Sequence, residues 1–210
     1  MKPIIFARIT SMKYYKGVTE DDMPLNGGSY VKENNDAHES HNFTPIEFDD
    51  GSTDCIGYVQ LVGGGEKLHI ENIYGCKSRK KEDFVDDVIV VFVATRDRSM
   101  RVVGFYKNAE VYRDGCECII NEGDPDEYIQ YYYFRANKED CVLIPEHDRY
   151  ITGDWYVPMS GKHGSDFGFG HANVWFAGSK TDNPKEIEYV EAMISRIENY
   201  KGENWIDKYE

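Results

Sequence analysis

The longest apolar run of the chain lies near its middle, in the segment DDVIVVFVAT (86–95). Consecutive Val, Ile and Phe residues are typical of a β-strand that is buried on both faces of a sheet. After a polar turn the chain returns as RVVGFYKNAEVYR (101–113), where Val103 and Phe105 alternate with other residues. Gly104 between them permits a bulge or a close backbone approach. The pattern predicts a β-hairpin at the centre of the fold.

Shorter apolar stretches predict further strands around this hairpin. Their segments are IIFARI (4–9), IGYVQL (56–61), KLHIENI (67–73), YIQYYYFRA (128–136) and ANVWFA (172–177). Turns that contain Gly, Asp and Pro separate them, as expected for short strands of one sheet. We expect the sheet to be a curved β-barrel.

One α-helix is predicted near the end of the chain, over residues 184–201. Asn183 is a suitable N-cap, Pro184 fits the first turn and Glu186 completes a capping box. Gly202 is placed to end the helix, because glycine is common just beyond a helix C-terminus. The apolar face of the helix consists of Ile187, Val190, Ile194 and Ile197.

These elements predict an α+β fold in a single domain. A chain of 210 residues is long enough to bury a substantial core. We expect the domain to span residues 1–202, including the helix. Residues 203–210 either dock the helix on the barrel through Trp205 or begin a linker.

The charge of the chain limits how it can bind nucleic acid. It carries 24 Lys and Arg residues against 38 Asp and Glu residues, a formal net charge of −14. Binding that depends mainly on neutralising phosphates needs clustered basic residues, so this composition excludes that class. Basic residues are concentrated locally in SMKYYKG (11–17) and CKSRKK (76–81). The glycine-rich segment GSDFGFGHANVWF (164–176) does not have the glycine order of a nucleotide-binding loop. The predicted backbone contacts are Lys13, Lys16, Arg79, Lys80, Lys162 and His163.

The cysteines and the hydropathy of the chain indicate the compartment. Five cysteines are an odd number, no secretory segment opens the chain, and no apolar run approaches the roughly 18 residues that span a bilayer. We therefore expect a reduced, cytoplasmic protein without a membrane partner. Cys116, Cys118, Cys141 and His147 do not have the paired spacing of a structural zinc site, and ordinary thiols are the preferred interpretation. No metal or cofactor is expected.

Several segments together resemble the PUA-like superfamily, whose EVE, YTH and SRA members share a small β-barrel. The V-G-x-x-x-x-A-x-V pattern of EVE-type domains is matched by Val103, Gly104, Ala109 and Val111. The segments MKYYKG, GGSY, HESHNF, GFYKNAEVYR and GFGHANVWFA resemble a module at the N-terminus of HNH-type and related restriction proteins. The resemblance implies a PUA-like curved β-barrel with flanking helices that flips a modified base into a pocket. The His/Asn metal site of an HNH nuclease is not found in residues 114–210, so cleavage would belong to another domain or chain.

The segment HESHNFTPIEF (38–48) contains the main candidate chemistry. The two histidines, His38 and His41, are three positions apart, whereas the HExxH metal motif needs four. Glu39 with His41 offers an acid/base pair, but no nucleophile elbow accompanies it. A carboxylate accepts a hydrogen bond from cytosine N4, and an amide both donates and accepts, so we interpret this segment as the lip of a base pocket. The predicted base-binding residues are Ser11, Tyr14, Tyr15, Tyr30, Glu39, Asn42, Phe43, Asn173 and Trp175.

Two classes of function follow from these observations. The first is a module that recognises a modified base, chiefly a modified cytosine, in double-stranded DNA and directs a nuclease domain or subunit in restriction or phage defence. The second is an enzyme that acts on nucleic acid, a nuclease or a base-excising activity, with Glu39 and His41 as its catalytic pair. A reader of modified RNA or of a free nucleotide is the third alternative.

Overall fold

A computed structural model of the protein describes residues 1–25, 37–62, 67–120, 123, 127–151, 153–161, 164–179 and 182–208. In these ranges the chain forms a mixed sheet, two α-helices and several 3-10 turns, which confirms the α+β class. The strands are β1 (Ile4–Ile9), β2 (Pro45–Glu47), β3 (Thr53–Gly57), β4 (Phe84–Arg96), β5 (Ser99–Ile120), β6 (Tyr128–Asn137), β7 (Cys141–Leu143) and β8 (Val174–Trp175). The helices are α1 (Glu146–Ile151) and α2 (Pro184–Glu198).

The predicted central hairpin is confirmed as the antiparallel pair β4 and β5. Asp97 and Arg98 form the turn between them, with φ values of 50° and 63°. Left-handed φ values at two consecutive turn residues match the twist of the flanking strands and give a tight hairpin. The long β5 then pairs with β6, so the hairpin becomes the middle of the sheet.

β4 is buried on both faces and separates two hydrophobic cores. Val88, Val90, Phe92 and Ala94 face the first core, which the curved sheet surrounds. Ile89, Val91 and Val93 face the second core, which α2 covers with Val190, Met193 and Ile197. The unbroken apolar run therefore reflects burial on both faces, as predicted.

Gly104 is required where β5 passes Phe43. A Cβ atom at this position would lie 2.4 Å from Cζ of Phe43 and 2.4 Å from the carbonyl oxygen of Val142. Register also shifts in the ladder beside Gly104. The glycine thus permits both the close approach and the bulge that the sequence suggested.

The strand order across the sheet is β2-β3-β6-β5-β4-β1-β8, and β7 pairs with β5 outside this path. In a flat sheet, the five strand spacings from β3 to β8 would amount to roughly 24 Å. Yet Nδ2 of Asn173, next to β8, donates a hydrogen bond of 2.9 Å to the carbonyl oxygen of Gln60, just beyond β3. The sheet is therefore strongly curved. The backbone hydrogen bonds of the described residues do not close it into the predicted barrel.

Three predicted strands differ from the observed elements. KLHIENI (67–73) contains a 3-10 helix at Ile70–Asn72 instead of a strand, because Leu68, Ile70 and Ile73 all turn into the first core. In the region of IGYVQL (56–61) the strand is Thr53–Gly57, and at ANVWFA (172–177) pairing with β1 is confined to Val174–Trp175.

The helix α2 begins as predicted, with the side chain of Asn183 accepting a hydrogen bond of 3.0 Å from the N–H of Lys185. Oε1 of Glu186, the residue expected to complete a capping box, accepts from the N–H of Gly178 (2.7 Å), which lies outside the helix. The helix ends at Glu198, before the predicted residue 201, because Asn199 bonds the carbonyl oxygen of Ser195 and leaves helical geometry. No helix in the described ranges has the length and apolar character needed to cross a membrane.

The segment after α2 returns to the sheet. Trp205 and Ile206 are buried in the first core, and the N–H of Trp205 donates to the carbonyl oxygen of Leu143 in β7 (2.8 Å). The described part of this segment, through Lys208, thus packs on the first core, whereas α2 packs on the second core.

Candidate functional site

The segment HESHNF begins as a 3-10 helix, His38–His41, and then enters the protein interior. Asn42 is fully buried. Its amide accepts from the N–H of Tyr58 and donates to the carbonyl oxygen of the same residue, both at 2.9 Å. The Asn42 side chain thus bonds the backbone just beyond β3 in the way that a neighbouring β-strand would.

Phe43 is also fully buried and belongs to the first core. Its ring centroid lies 5.3 Å from that of Phe92, 5.5 Å from that of Tyr106 and 5.7 Å from that of Tyr15. The predicted roles of Asn42 and Phe43 at a pocket lip do not fit these positions. Packing and backbone bonding occupy both side chains.

The loop from Ser11 to Tyr15 is held from two sides by buried charges. The carboxylate of Asp22 accepts from the N–H groups of Lys13 (2.5 Å) and Tyr14 (2.7 Å). The guanidinium of Arg149, almost fully buried, donates to the carbonyl oxygens of Met12 and Lys13, each at 2.7 Å. Charged groups bonded to several backbone atoms fix a loop firmly. These four bonds therefore hold the loop in place.

The aromatic side chains of this loop are core residues. Tyr15 is fully buried, with its hydroxyl donating to the carbonyl oxygen of Thr10 (2.7 Å), and burial raises its pKa. Ser11 and Tyr14 are also buried, and Tyr14 stacks on Trp205 at 5.5 Å. The predicted base-binding roles of Ser11, Tyr14 and Tyr15 do not fit this burial.

Trp175 lies on the other side of the sheet from Tyr14. Its ring centroid is 4.6 Å from that of Phe6 and 6.1 Å from that of Tyr189, in the second core. Trp175 and Tyr14 therefore do not line one pocket. Tyr30, the third aromatic residue of that hypothesis, lies outside the described residues.

A polar and aromatic surface occurs where the two ends of the curved sheet approach. We call it the seam site, and it consists of Arg8, Glu39, Tyr58, Gln60 and Asn173. Of these five, Glu39 and Asn173 were predicted from the sequence. The structure brings them to the same region through a chain of contacts that runs from β1 to the segment after β3.

Arg8 is the central cation of the seam site. Its Nε and Nη2 donate to Oδ1 of Asn173 at 3.0 and 2.8 Å, and Nη2 also donates to the carbonyl oxygen of His171 (3.1 Å). The side chain is half-buried, and burial lowers its pKa. Among the described residues no carboxylate pairs with it. Because the neutral oxygens of Asn173 and His171 hold the guanidinium in place, Nη1 is a fixed, charged donor.

Tyr58 and Glu39 form the other side of the seam site. The hydroxyl of Tyr58 donates to Oε1 of Gln60 (2.9 Å), and burial followed by the nearby Tyr133 and Glu39 raises its pKa to about 12. The ring of His38 contacts that of Tyr58 edge-on at 5.3 Å. Oε1 of Glu39 accepts from the N–H of Thr10 (3.2 Å), which fixes the carboxylate beside β1.

Among the described residues, Glu39 and His41 lie against different neighbours. Glu39 is bonded to the backbone next to β1, whereas the His41 ring lies 4.6 Å from that of Tyr128 and directly beneath Gly17. Within the described ranges no three His, Cys, Asp or Glu side chains form a group that could hold a metal ion. The five cysteines are all free thiols.

The predicted backbone-contact residues fall into separate places. Lys13 lies 4.5 Å from the ring centroid of Tyr14, and Nζ of Lys16 donates to the carbonyl oxygen of Ile206. Burial lowers the pKa of Lys16 to about 8, although Asp207 partly opposes this shift. Arg79 and Lys80 are exposed on a 3-10 turn. Lys162 and His163 lie outside the described residues.

Sequence reasoning missed Arg8, Tyr58 and Gln60. A signal for Arg8 was present, because it is the single charged residue inside the apolar strand IIFARI. A charged side chain is seldom placed in a buried strand without a partner or a role. Tyr58 and Gln60 gave no comparable signal, since their position depends on the long-range bonds to Asn42 and Asn173.

The chain was compared with protein-family models, curated proteins and solved structures, and none of them matches it.

Proposed function

We propose that the protein recognises a modified base in DNA, in particular a modified cytosine, and that the base binds at the seam site. The observation that carries the proposal is Arg8, a half-buried cation that is held by neutral acceptors and has no carboxylate partner among the described residues. A fixed donor of this kind suits a ligand that supplies the missing acceptor.

The remaining groups of the seam site complement a cytosine edge. Cytosine presents an amine at N4 and acceptors at N3 and O2. Glu39 supplies a carboxylate for the amine, and Nη1 of Arg8 supplies a donor for an acceptor. Tyr58, kept protonated by its raised pKa, supplies an aromatic ring at the same place. A duplex base reaches such a site only after extrusion, which costs a few kcal/mol.

The curvature of the sheet supports a PUA-like architecture. A hydrogen bond joins the two sheet ends at the seam, and the first core fills the enclosed space. A binding site at the meeting of two sheet ends can hold a ligand without disturbing the hairpin. We propose that the fold is PUA-like and that the module directs a nuclease domain or subunit in a restriction or phage-defence system.

The test is a binding series with 12-base-pair duplexes that differ only in one base, either cytosine or a modified cytosine. The parent chain should prefer one modified duplex. Arg8→Gln should reduce this preference by about 1–3 kcal/mol, as expected for the loss of a good base contact. Arg196→Gln is the control for charge loss, because it removes a guanidinium of α2 that is bonded to Asp154, and it should keep the preference.

Equal affinity for all duplexes would exclude base recognition. A preference that survives Arg8→Gln would exclude the seam site and leave recognition to another surface. Product formation in these mixtures, abolished by Glu39→Gln and His41→Ala while binding persists, would instead support the enzymatic alternative.

A further inference from the structure

An open cleft of about 390 Å³ lies apart from the seam site. It forms where the segment 71–77 meets the turn at Gly178 and Ser179, after β8. Gly178 lies against Met1, three residues before β1, whereas Asn173 lies against Arg8 near the end of β1. The cleft and the seam site therefore share no residue. A volume of this size is typical of small-molecule sites.

One wall of the cleft is a fixed, ionised carboxylate. Glu71 accepts from Nη1 of Arg113 at 2.7 Å and contacts Nδ1 of His69 at 3.1 Å. Burial alone would raise the pKa of Glu71, but these hydrogen bonds outweigh burial and lower it to about 2. A carboxylate has about four acceptor positions, and Arg113, His69 and the backbone N–H of Glu71 itself occupy three of them, so one remains for a ligand donor. Arg113 also forms an ion pair with this carboxylate.

Positively charged side chains follow a few residues further along the chain. Lys77 lines the cleft, and Arg79, Lys80 and Lys81 continue from it on the exposed 3-10 turn and the residues after it. Among the described residues none of these four cations forms an ion pair. Tyr74, which is 40% exposed, also lines the cleft.

We infer that this cleft binds a nucleoside monophosphate whose base carries an exocyclic amine, namely a cytosine or adenine nucleotide. The amine donates to Glu71, the base stacks on Tyr74 and the phosphate binds Lys77. Stacking on an exposed tyrosine accepts any base, whereas the carboxylate selects a donor and opposes the carbonyl of uracil. The phosphate is assigned to Lys77 because this lysine is the cation that lines the cleft, whereas Arg113 is already paired with Glu71.

Isothermal titration calorimetry of the full chain with CMP, UMP and ribose 5-phosphate tests this inference. CMP should bind about tenfold or more tightly than UMP, because UMP lacks the donor for Glu71. Lys77→Gln and Tyr74→Leu should each weaken CMP binding by about tenfold, through the lost charged hydrogen bond and the lost stacking. Lys201→Gln, beyond the far end of α2, is the matched control and should bind CMP like the parent.

A short single-stranded oligodeoxycytidine distinguishes a free nucleotide from one within a strand. If it displaces CMP, the nucleotide is part of a strand, and if it does not, the site takes the free form. Equal binding of CMP, UMP and ribose 5-phosphate would overturn the inference. So would equal effects of Lys77→Gln and Lys201→Gln. Neither outcome bears on the seam site, because Arg8 and Asn173 are unchanged in all these variants.

Discussion

Replacing Asn42 by alanine should destabilise the fold rather than alter recognition alone. The amide of Asn42 is fully buried and bonds both backbone groups of Tyr58 at 2.9 Å. Alanine removes both bonds and leaves the N–H and the carbonyl of Tyr58 without these partners. Tyr58 belongs to the seam site, so the same bonds also hold its position.

The size of the effect follows from these two backbone groups. An interior polar group that loses its partner destabilises a protein by about 1–3 kcal/mol. Both groups of Tyr58 are part-buried, so water can reach them in part and the lower half of that range applies to each. The sum is about 2–4 kcal/mol. This is a large fraction of the roughly 5–15 kcal/mol by which a domain is usually stable.

Urea denaturation followed by circular dichroism measures this loss as a lower transition midpoint at constant slope. Asn72→Ala is the control, because Asn72 is half-exposed on a short 3-10 turn and should change the free energy of unfolding by about 0.5 kcal/mol or less. If Asn42→Ala is as stable as Asn72→Ala and loses only base discrimination, Asn42 contacts the ligand and its structural role is contradicted.

Four other outcomes are expected. Phe92→Ala removes a fully buried ring of the first core and should destabilise by about 3–5 kcal/mol in the same urea assay; a smaller loss than 1 kcal/mol would contradict its packing. Glu71 has a pKa lowered to about 2 in the folded state against 4.5 otherwise, so its contribution to stability is present above about pH 4.5 and is lost as pH falls towards 2. Glu71→Gln should flatten that part of the pH–stability curve, and an unchanged curve would contradict the bond to Arg113. Cys55 and Cys141 are fully buried, and mass spectrometry should show them alkylated only after unfolding; rapid labelling of the native protein would refute that burial. Binding to an unmodified duplex should be weak and depend little on salt because the net charge is −14, and a steep salt dependence would indicate many phosphate contacts.

The parts of the fold that the sequence predicted are those with local causes. The hairpin of β4 and β5 follows from a continuous apolar run and a polar turn, and the start of α2 follows from the cap at Asn183. KLHIENI looked like a strand because its apolar residues nearly alternate. Its actual conformation depends on Leu68 bonding to Arg113, far along the chain, and on the first core.

The site was less predictable for the same reason. The polar and aromatic residues of HESHNF suggested the lip of a base pocket. Asn42 and Phe43 are instead buried, because Asn42 bonds Tyr58 and Phe43 packs on Gly104, both distant in sequence. Burial of a polar residue cannot be inferred from its neighbours when its hydrogen-bond partners are supplied by another element. Arg8 was open to prediction from its strand, and Asn173 was identified although its link to Arg8 was not.

The central proposal is that a base leaves the duplex and enters the seam site. The most direct measurement is the fluorescence of 2-aminopurine placed next to a modified cytosine, since this base brightens when its neighbour is unstacked. The parent protein should raise the fluorescence of the modified duplex and leave that of the unmodified duplex nearly unchanged, while Arg8→Gln should give little increase on either. Tight binding of the parent protein to the modified duplex with no rise in fluorescence would contradict base extrusion.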